Sequence, residues 1–230
     1  PIVPRPRNAT AVIPSSPRNP IPQPSTAVCR GPEAPPYSAR TLVWIAPMPH
    51  WLVIDLEATT AEGGWPLEEM EIIEIGATLV AAADARELDH FQRFVRPVRR
   101  PLLTHFCRDL THISQANVDG AAHLNTVWEA FERWLAQHRP RLAGWASWGD
   151  YDRRQLEQEW RQHGLTSQLS EVPHVNLKQR FGEVRQLPRP VGLNAALQLA
   201  GMSFQGQQHR ALEDARNTAR LLPLVLPVEH

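Results

Sequence analysis

Up to about residue 50 the chain has no hydrophobic periodicity, and short apolar runs such as Ala11-Val12-Ile13 are cut at once by a proline, here Pro14. Proline fixes φ and removes a donor, so residues 1–50 are expected to be polyproline II and open coil. From Trp51 the pattern changes. Leu52-Val53-Ile54-Asp55-Leu56-Glu57 is a β-rich run ending in small and turn-prone residues over 58–64, which predicts a first strand. Residues 71–80 predict a second strand, and 88–95, closed by Pro97, a third; the short connections between them predict an antiparallel meander. After a short helix near 104–110, Val127, Trp128, Phe131, Trp134 and Leu135 recur with the helical period, so 125–137 is an amphipathic helix with an aromatic buried stripe. Residues 141–148 form a buried strand handing over to a helix over 151–162, stopped by His163-Gly164. His174 to Leu177 is either a short strand or the lead into a helix ending near Gly182. Two helices follow, 193–200 and 211 to about 222, stopped by Gly201 and Pro223. The sum is an α/β domain with a five-stranded mixed sheet, a three-strand antiparallel meander plus parallel strands, flanked by helices.

Composition adds the domain plan. Thirteen of the 22 prolines lie before residue 50, so the 230 residues divide into a proline-rich, flexible N-terminal segment, 1–50, and one domain, 51–230. With 42% hydrophobic residues in the chain and seven of its eight tryptophans beyond residue 50, that domain can bury a real core, and no run approaches the roughly 18 apolar residues of a membrane span. The net charge of zero is uneven: five arginines stand against Glu33 in 1–50, leaving 19 basic against 23 acidic residues beyond. Binding of polyanions by bulk charge is therefore not expected. Two cysteines, Cys29 and Cys107, are too few for a disulfide framework, which with the lack of a leading basic and apolar segment points to a reducing, cytoplasmic setting. The PxxP spacings Pro14 to Pro17 and Pro17 to Pro20 could serve a protein partner, but such spacings also arise by chance in proline-rich coil.

Chemistry concentrates in three places. Asp55 and Glu57 stand two apart in an apolar strand, so both carboxylates share one face while Ile54 and Leu56 point to the other. Buried side by side, two acids raise one another's pKa, and a hard divalent cation such as Mg²⁺ or Mn²⁺ removes the conflict; alone, the pair also fits a strand with a wet acidic edge. Asp150 lies just past a predicted parallel strand, where α/β sheets collect ligands, and is equally suited to cap the helix that follows. Its neighbour Asp152 reads as a first-turn acid facing the helix dipole. In His209-Arg210-Ala211-Leu212-Glu213-Asp214, five residues on one helix would turn His209 about 140° from Asp214, so His209 belongs on the preceding loop. Gly201, Gly206 and the polar run Gln205-Gly206-Gln207-Gln208 predict that this loop is mobile. There is no GxGxxG, no P-loop lysine and no HExxH, and His105, Cys107 and His112 lack a fourth ligand for zinc.

The set Asp55-x-Glu57, Gly149-Asp150 and His209-x4-Asp214 resembles the DEDDh 3′–5′ exonucleases, a family of ribonuclease H-like fold. IDLEAT, EIIEIGA, FCRDLTHIS, SWGDYDRRQL, VNLKQRFG and HRALEDARNTARL are similar to the Eri-type branch, which includes histone-mRNA 3′ exonuclease and KapD-like proteins. Tyr151 stands where that branch has tryptophan, Trp148 where it has a cysteine or other small residue, and His112 where it commonly has glycine. The resemblance covers about residues 51–222 and implies removal of nucleoside 5′-monophosphates from 3′ ends of single-stranded RNA, or DNA, by two-metal-ion hydrolysis. It implies two divalent ions, Mg²⁺ or Mn²⁺, on Asp55, Glu57, Asp150 and Asp214, with His209 accepting a proton from the attacking water. It also places Ala58 against the terminal sugar, with Leu56 or Thr59 packed nearby. Trp65, Phe106 and Trp148 are candidate stacking surfaces, although each is more often a core residue. Two alternatives remain at this point, a catalytically silent relative that binds RNA or protein as a regulator, and an endonuclease of ribonuclease H type.

Overall fold

The computed structural model describes residues 49–226. The expected proline-rich segment, Cys29 included, thus lies outside the described residues but for Pro49 and His50, as does the tail 227–230. Five strands, β1 (His50–Ala58), β2 (Ile72–Ala81), β3 (Glu87–Phe94), β4 (Leu142–Ser147) and β5 (His174–Asn176), form one sheet in the order β3-β2-β1-β4-β5. The first three pair antiparallel, as their short connections require, while β4 runs parallel to β1 and β5 parallel to β4. His174 to Asn176 is therefore a strand, leading directly into a helix.

Eight α-helices, with three short 3-10 turns, complete the described fold: α1 (His105–Thr111), α2 (Gln115–Asp119), α3 (Leu124–Ala136), α4 (Tyr151–His163), α5 (Leu177–Val184), α6 (Leu193–Leu199), α7 (Ala211–Ala219) and α8 (Leu222–Val225). The helix expected from 211 to 222 is two: α7 ends at Ala219, and Pro223 sits in the first turn of α8, where its missing N–H costs nothing. α2, too short to show a period, is fixed by a reciprocal capping box between Ser114 and Asn117.

The sheet is buried on both faces, and the period of two sorts its side chains. Leu52, Ile54 and Leu56 of β1 join Ile75, Phe91, Trp128, Phe131 and Leu156 in one core. There Trp128 stacks on Phe131 at 4.7 Å and Phe91 meets Phe131 edge-on at 5.3 Å. Val53 points the other way, into a second core with Val80, Ala146, Leu177, Phe181 and Ala215. Asp55 and Glu57 continue the Val53 face toward the strand end, beneath α7. α7 can lie that close because Gly76 of β2 has no side chain: a Cβ there would stand 2.1 Å from the Ala211 carbonyl carbon.

Candidate active site

The pairing of β1 with β4 runs only as far as Val53 and Ala146, so beyond it the two strands part and leave a crevice at their C-terminal ends. Asp55 and Glu57 reach it from β1. Glu57 is buried and Asp55 partly so. The turn out of β4 is tied down locally: the buried Ser147 hydroxyl donates to the Gly149 carbonyl at 2.8 Å and stands 2.9 Å from His174 Nε2, whose pKa burial lowers to about 4.

The acid that the turn delivers is Asp152, and this corrects the sequence expectation. Asp150 occupies the N-cap position of α4 but makes no side-chain cap bond; it is exposed and pairs with Arg153 at 3.4 Å. Asp152, one residue inside the helix, is 4% exposed and accepts the Leu56 N–H at 3.0 Å, a donor left free where β1 has parted from β4. The signal was present in the sequence. Asp152, Gln155, Leu156 and Glu159 share the buried face of α4, and Asp152 lies within about 40° of Leu156, whereas Asp150 lies about 120° away.

α7 supplies the last two groups. Asp214, in its first turn, accepts the His209 N–H at 3.0 Å, and His209 sits before the helix with a left-handed backbone at φ 58°. An imidazole nitrogen of His209 and a carboxylate oxygen each of Glu57 and Asp214 lie within 4.8 Å of one another. Among the described residues this is the only cluster of three such ligands, and His105, Cys107 and His112 form none.

The loop before His209 departs from the expected mobility, because its backbone is bonded at three points. Arg220 donates to the Ser203 carbonyl at 2.8 Å; buried Asn217 donates to the Gln205 carbonyl at 2.7 Å and accepts its N–H at 3.0 Å; Asp214 holds His209. Gly206, at φ 82°, gives the room this needs, since a Cβ would strike the Glu213 carboxylate at 2.3 Å.

Of the three expected substrate contacts, Leu56 is corrected. Its side chain lies in the core on the face opposite Asp55 and Glu57, and its N–H belongs to Asp152. Ala58 and Thr59 stand at the strand exit, both buried: the Ala58 carbonyl accepts from Cys107 Sγ at 3.7 Å, and the Thr59 hydroxyl accepts the Glu71 N–H at 3.0 Å. Among the aromatics, Phe106 is exposed, Trp65 carries the Arg100 guanidinium 3.9 Å over its ring, and Trp148 is half-buried 6.0 Å from Phe181.

The carboxylates are crowded, and Arg210 and the N–H groups of Leu56 and His209 offset only part of what burial and like charge impose. Burial, then the charges of Asp152, Glu57 and Asp214, raises Asp55 well above its ordinary range. Burial and Asp214 push Glu57 up to about 9; burial drives Asp152 to about 7 and Asp214 to about 6. The neighbouring arginines are engaged elsewhere, Arg210 with Glu74 and Arg153 with Asp150 and Glu157. Four oxygen-donor acids converging without a cation, with one imidazole beside them, fit hard divalent ions. His209 is shifted the other way, its pKa lowered by partial desolvation and by His112, so its imidazole is mainly neutral at pH 7.

The sequence family described as Exonuclease matches residues 52–222. The human protein named ERI1 exoribonuclease 2 is 30% identical over 189 residues, which cover 74% of this chain and 27% of that protein. The 3′-5′ exonuclease eri1 of Schizosaccharomyces pombe is 28% identical over 196 residues, covering 74% of this chain and 66% of that one. The chain thus spans about a quarter of the human relative. In structure it is similar to the nuclease domain of 3′hExo, a DEDDh family member bound to rAMP, with a TM-score of 0.70, 27% identity, and coverage of 76% of this chain and 90% of that domain.

Proposed function

Because the chain belongs to the Eri-type DEDDh branch of the exonuclease family, we propose that it is a 3′–5′ exonuclease that removes nucleoside 5′-monophosphates from the 3′ end of single-stranded RNA. The observation that carries this reading is the convergence of Asp55, Glu57, Asp152 and Asp214 at the strand ends with His209 at their margin. An endonuclease of ribonuclease H type shares the carboxylate logic but not the histidine five residues before the final acid.

Asp55, Glu57, Asp152 and Asp214 would hold two divalent ions, Mg²⁺ or Mn²⁺. When bound, such ions supply Lewis acidity to the attacking water and to the departing 3′ oxygen. Cation binding there would require the four acids to lose their protons and would relieve their mutual repulsion. His209, neutral and exposed at the mouth, accepts the proton of the attacking water on its imidazole nitrogen and passes it to solvent. The bond between His209 N–H and Asp214 keeps base and acid in one frame. Ala58 and Thr59, at the end of β1, form the floor under the terminal nucleotide. Gripping only the last few nucleotides needs stacking surfaces and a few cations rather than a large basic face, which reconciles nucleic-acid cleavage with an acidic domain.

A time course on 5′-labelled single-stranded RNA, its DNA counterpart, a 3′-phosphorylated strand and a circular strand, each with Mn²⁺ or EDTA, tests the proposal. A Mn²⁺-dependent ladder shortening from the free 3′ end is expected, with the circle intact. Cutting of the circle would make the protein an endonuclease, and no cleavage of any strand by Mn²⁺-loaded protein would make it a silent RNA-binding relative.

A further inference from the structure

We propose that Arg210, through a buried fork with Glu74, is a positioning residue for His209, setting where the imidazole stands against Glu57 and Asp214. The inference rests on the exonuclease reading above. Glu74 is fully buried on β2, directly opposite Glu57 in the β1–β2 register. Its carboxylate receives Arg210 Nε at 3.1 Å on one oxygen and Arg210 Nη2 at 2.9 Å on the other, a bidentate pair in which each geometry fixes the other. The same carboxylate accepts the Ala211 N–H at 3.2 Å and a bond from the Gln92 amide. The guanidinium also lies 5.3 Å over the Phe94 ring.

These contacts converge on the residue next to the histidine. His209 holds a left-handed backbone that a side-chain-bearing residue keeps only when its surroundings impose it. Two neighbours impose it here. Asp214 takes the His209 N–H from the helix side, and the Glu74 fork fixes Arg210, whose backbone is extended at φ −123° and ψ 117°, from the sheet side. Gly76 lets the backbone of residues 211–212 rest directly on β2, so the start of α7 has no freedom to follow a displaced Arg210. Arg210 has a second effect on the same centre: it offsets the charge of Glu74, which otherwise stands as a fifth carboxylate beside Glu57.

A double-mutant cycle on 5′-labelled RNA in Mn²⁺ separates positioning from general stability. Wild type, Arg210→Gln, His209→Ala and the double variant are compared for kcat, KM and Mn²⁺ affinity, and Arg210→Lys, which keeps the charge and loses the fork, carries the same cycle if Arg210→Gln does not fold. Arg210→Gln is expected to lower kcat about ten- to hundredfold with KM and Mn²⁺ affinity within about threefold, and the loss is expected to shrink below about threefold in the His209→Ala background. An equal loss in both backgrounds, or a loss that travels with weakened Mn²⁺ binding, overturns the inference. An inactive wild type brings down the exonuclease reading and this inference with it, whereas an active wild type with additive losses brings down this inference alone.

Discussion

Asp150 and Asp152 differ by two positions and by everything that matters to a carboxylate. One is in water beside Arg153; the other is buried, bonded to the Leu56 N–H, and raised to about 7 by burial above all. Asp152→Asn is therefore expected to lower kcat by at least about a hundredfold, and Asp150→Asn by less than about threefold, in the same RNA assay. A comparable loss from both would return Asp150 to the site. The crowding also has a thermodynamic sign. An acid whose pKa is raised on folding binds more protons folded than unfolded, so its contribution is fully present below its unfolded pKa and disappears as pH rises through the folded one. For Asp214, Asp152 and Glu57 that window runs from the ordinary carboxylate range near 4 up through about 6, 7 and 9. In EDTA the Tm is thus expected to fall steadily from pH 5 to pH 9. Asp152→Asn is expected to raise the metal-free Tm at pH 8 by about 2–4 °C while abolishing turnover, as relief of like-charge burial should. A metal-free Tm that is flat with pH, or lower in the variant, contradicts this account.

At the scale of elements, the site depends on how near α7 comes to the sheet. Gly76→Ala would place a methyl carbon 2.1 Å from the backbone of Ala211, which neither β2 nor α7 can relieve by rotating a side chain. A loss of about 2–3 kcal/mol or more in urea unfolding is expected, with a larger fall in activity than stability alone explains because His209 moves with the helix start. β1 and α3 were legible in the chain because each carries a clear period, whereas β2, buried at every position, was legible as a continuous apolar run. Leu52, Ile54 and Leu56 alternate with Val53, Asp55 and Glu57, and Val127, Trp128, Phe131 and Leu135 repeat at helical spacing. The tethered loop before His209 was not legible, since glycines and glutamines there read as freedom, and the bonds that restrain it come from buried Asn217 in α7 and from Arg220 at the C-terminal end of that helix.

Over the whole domain, four carboxylates from β1, α4 and α7 meet only when sheet and helices have assembled, so ion binding and folding are coupled. Mn²⁺ at about a hundred times its Kd is expected to add about 2.7 kcal/mol, or about 5–10 °C in Tm. Protons compete for the same oxygens, so that gain should grow from pH 6 to pH 8 and be largely lost in Asp214→Asn; a thermal-shift series at three pH values checks it. The order of motifs along the chain was enough to place Asp55, Glu57, Asp214 and His209 in one family's pattern, because the spacing of those residues is itself a local geometry: two apart on a strand, or five apart across a helix start. Which of two aspartates turns inward, that Leu56 belongs to the core, and that Glu74 and Arg210 brace the histidine were decided only by the tertiary structure. Those outcomes depend on where β1 parts from β4 and on how closely α7 packs on Gly76, and both are distances between segments far apart in the chain.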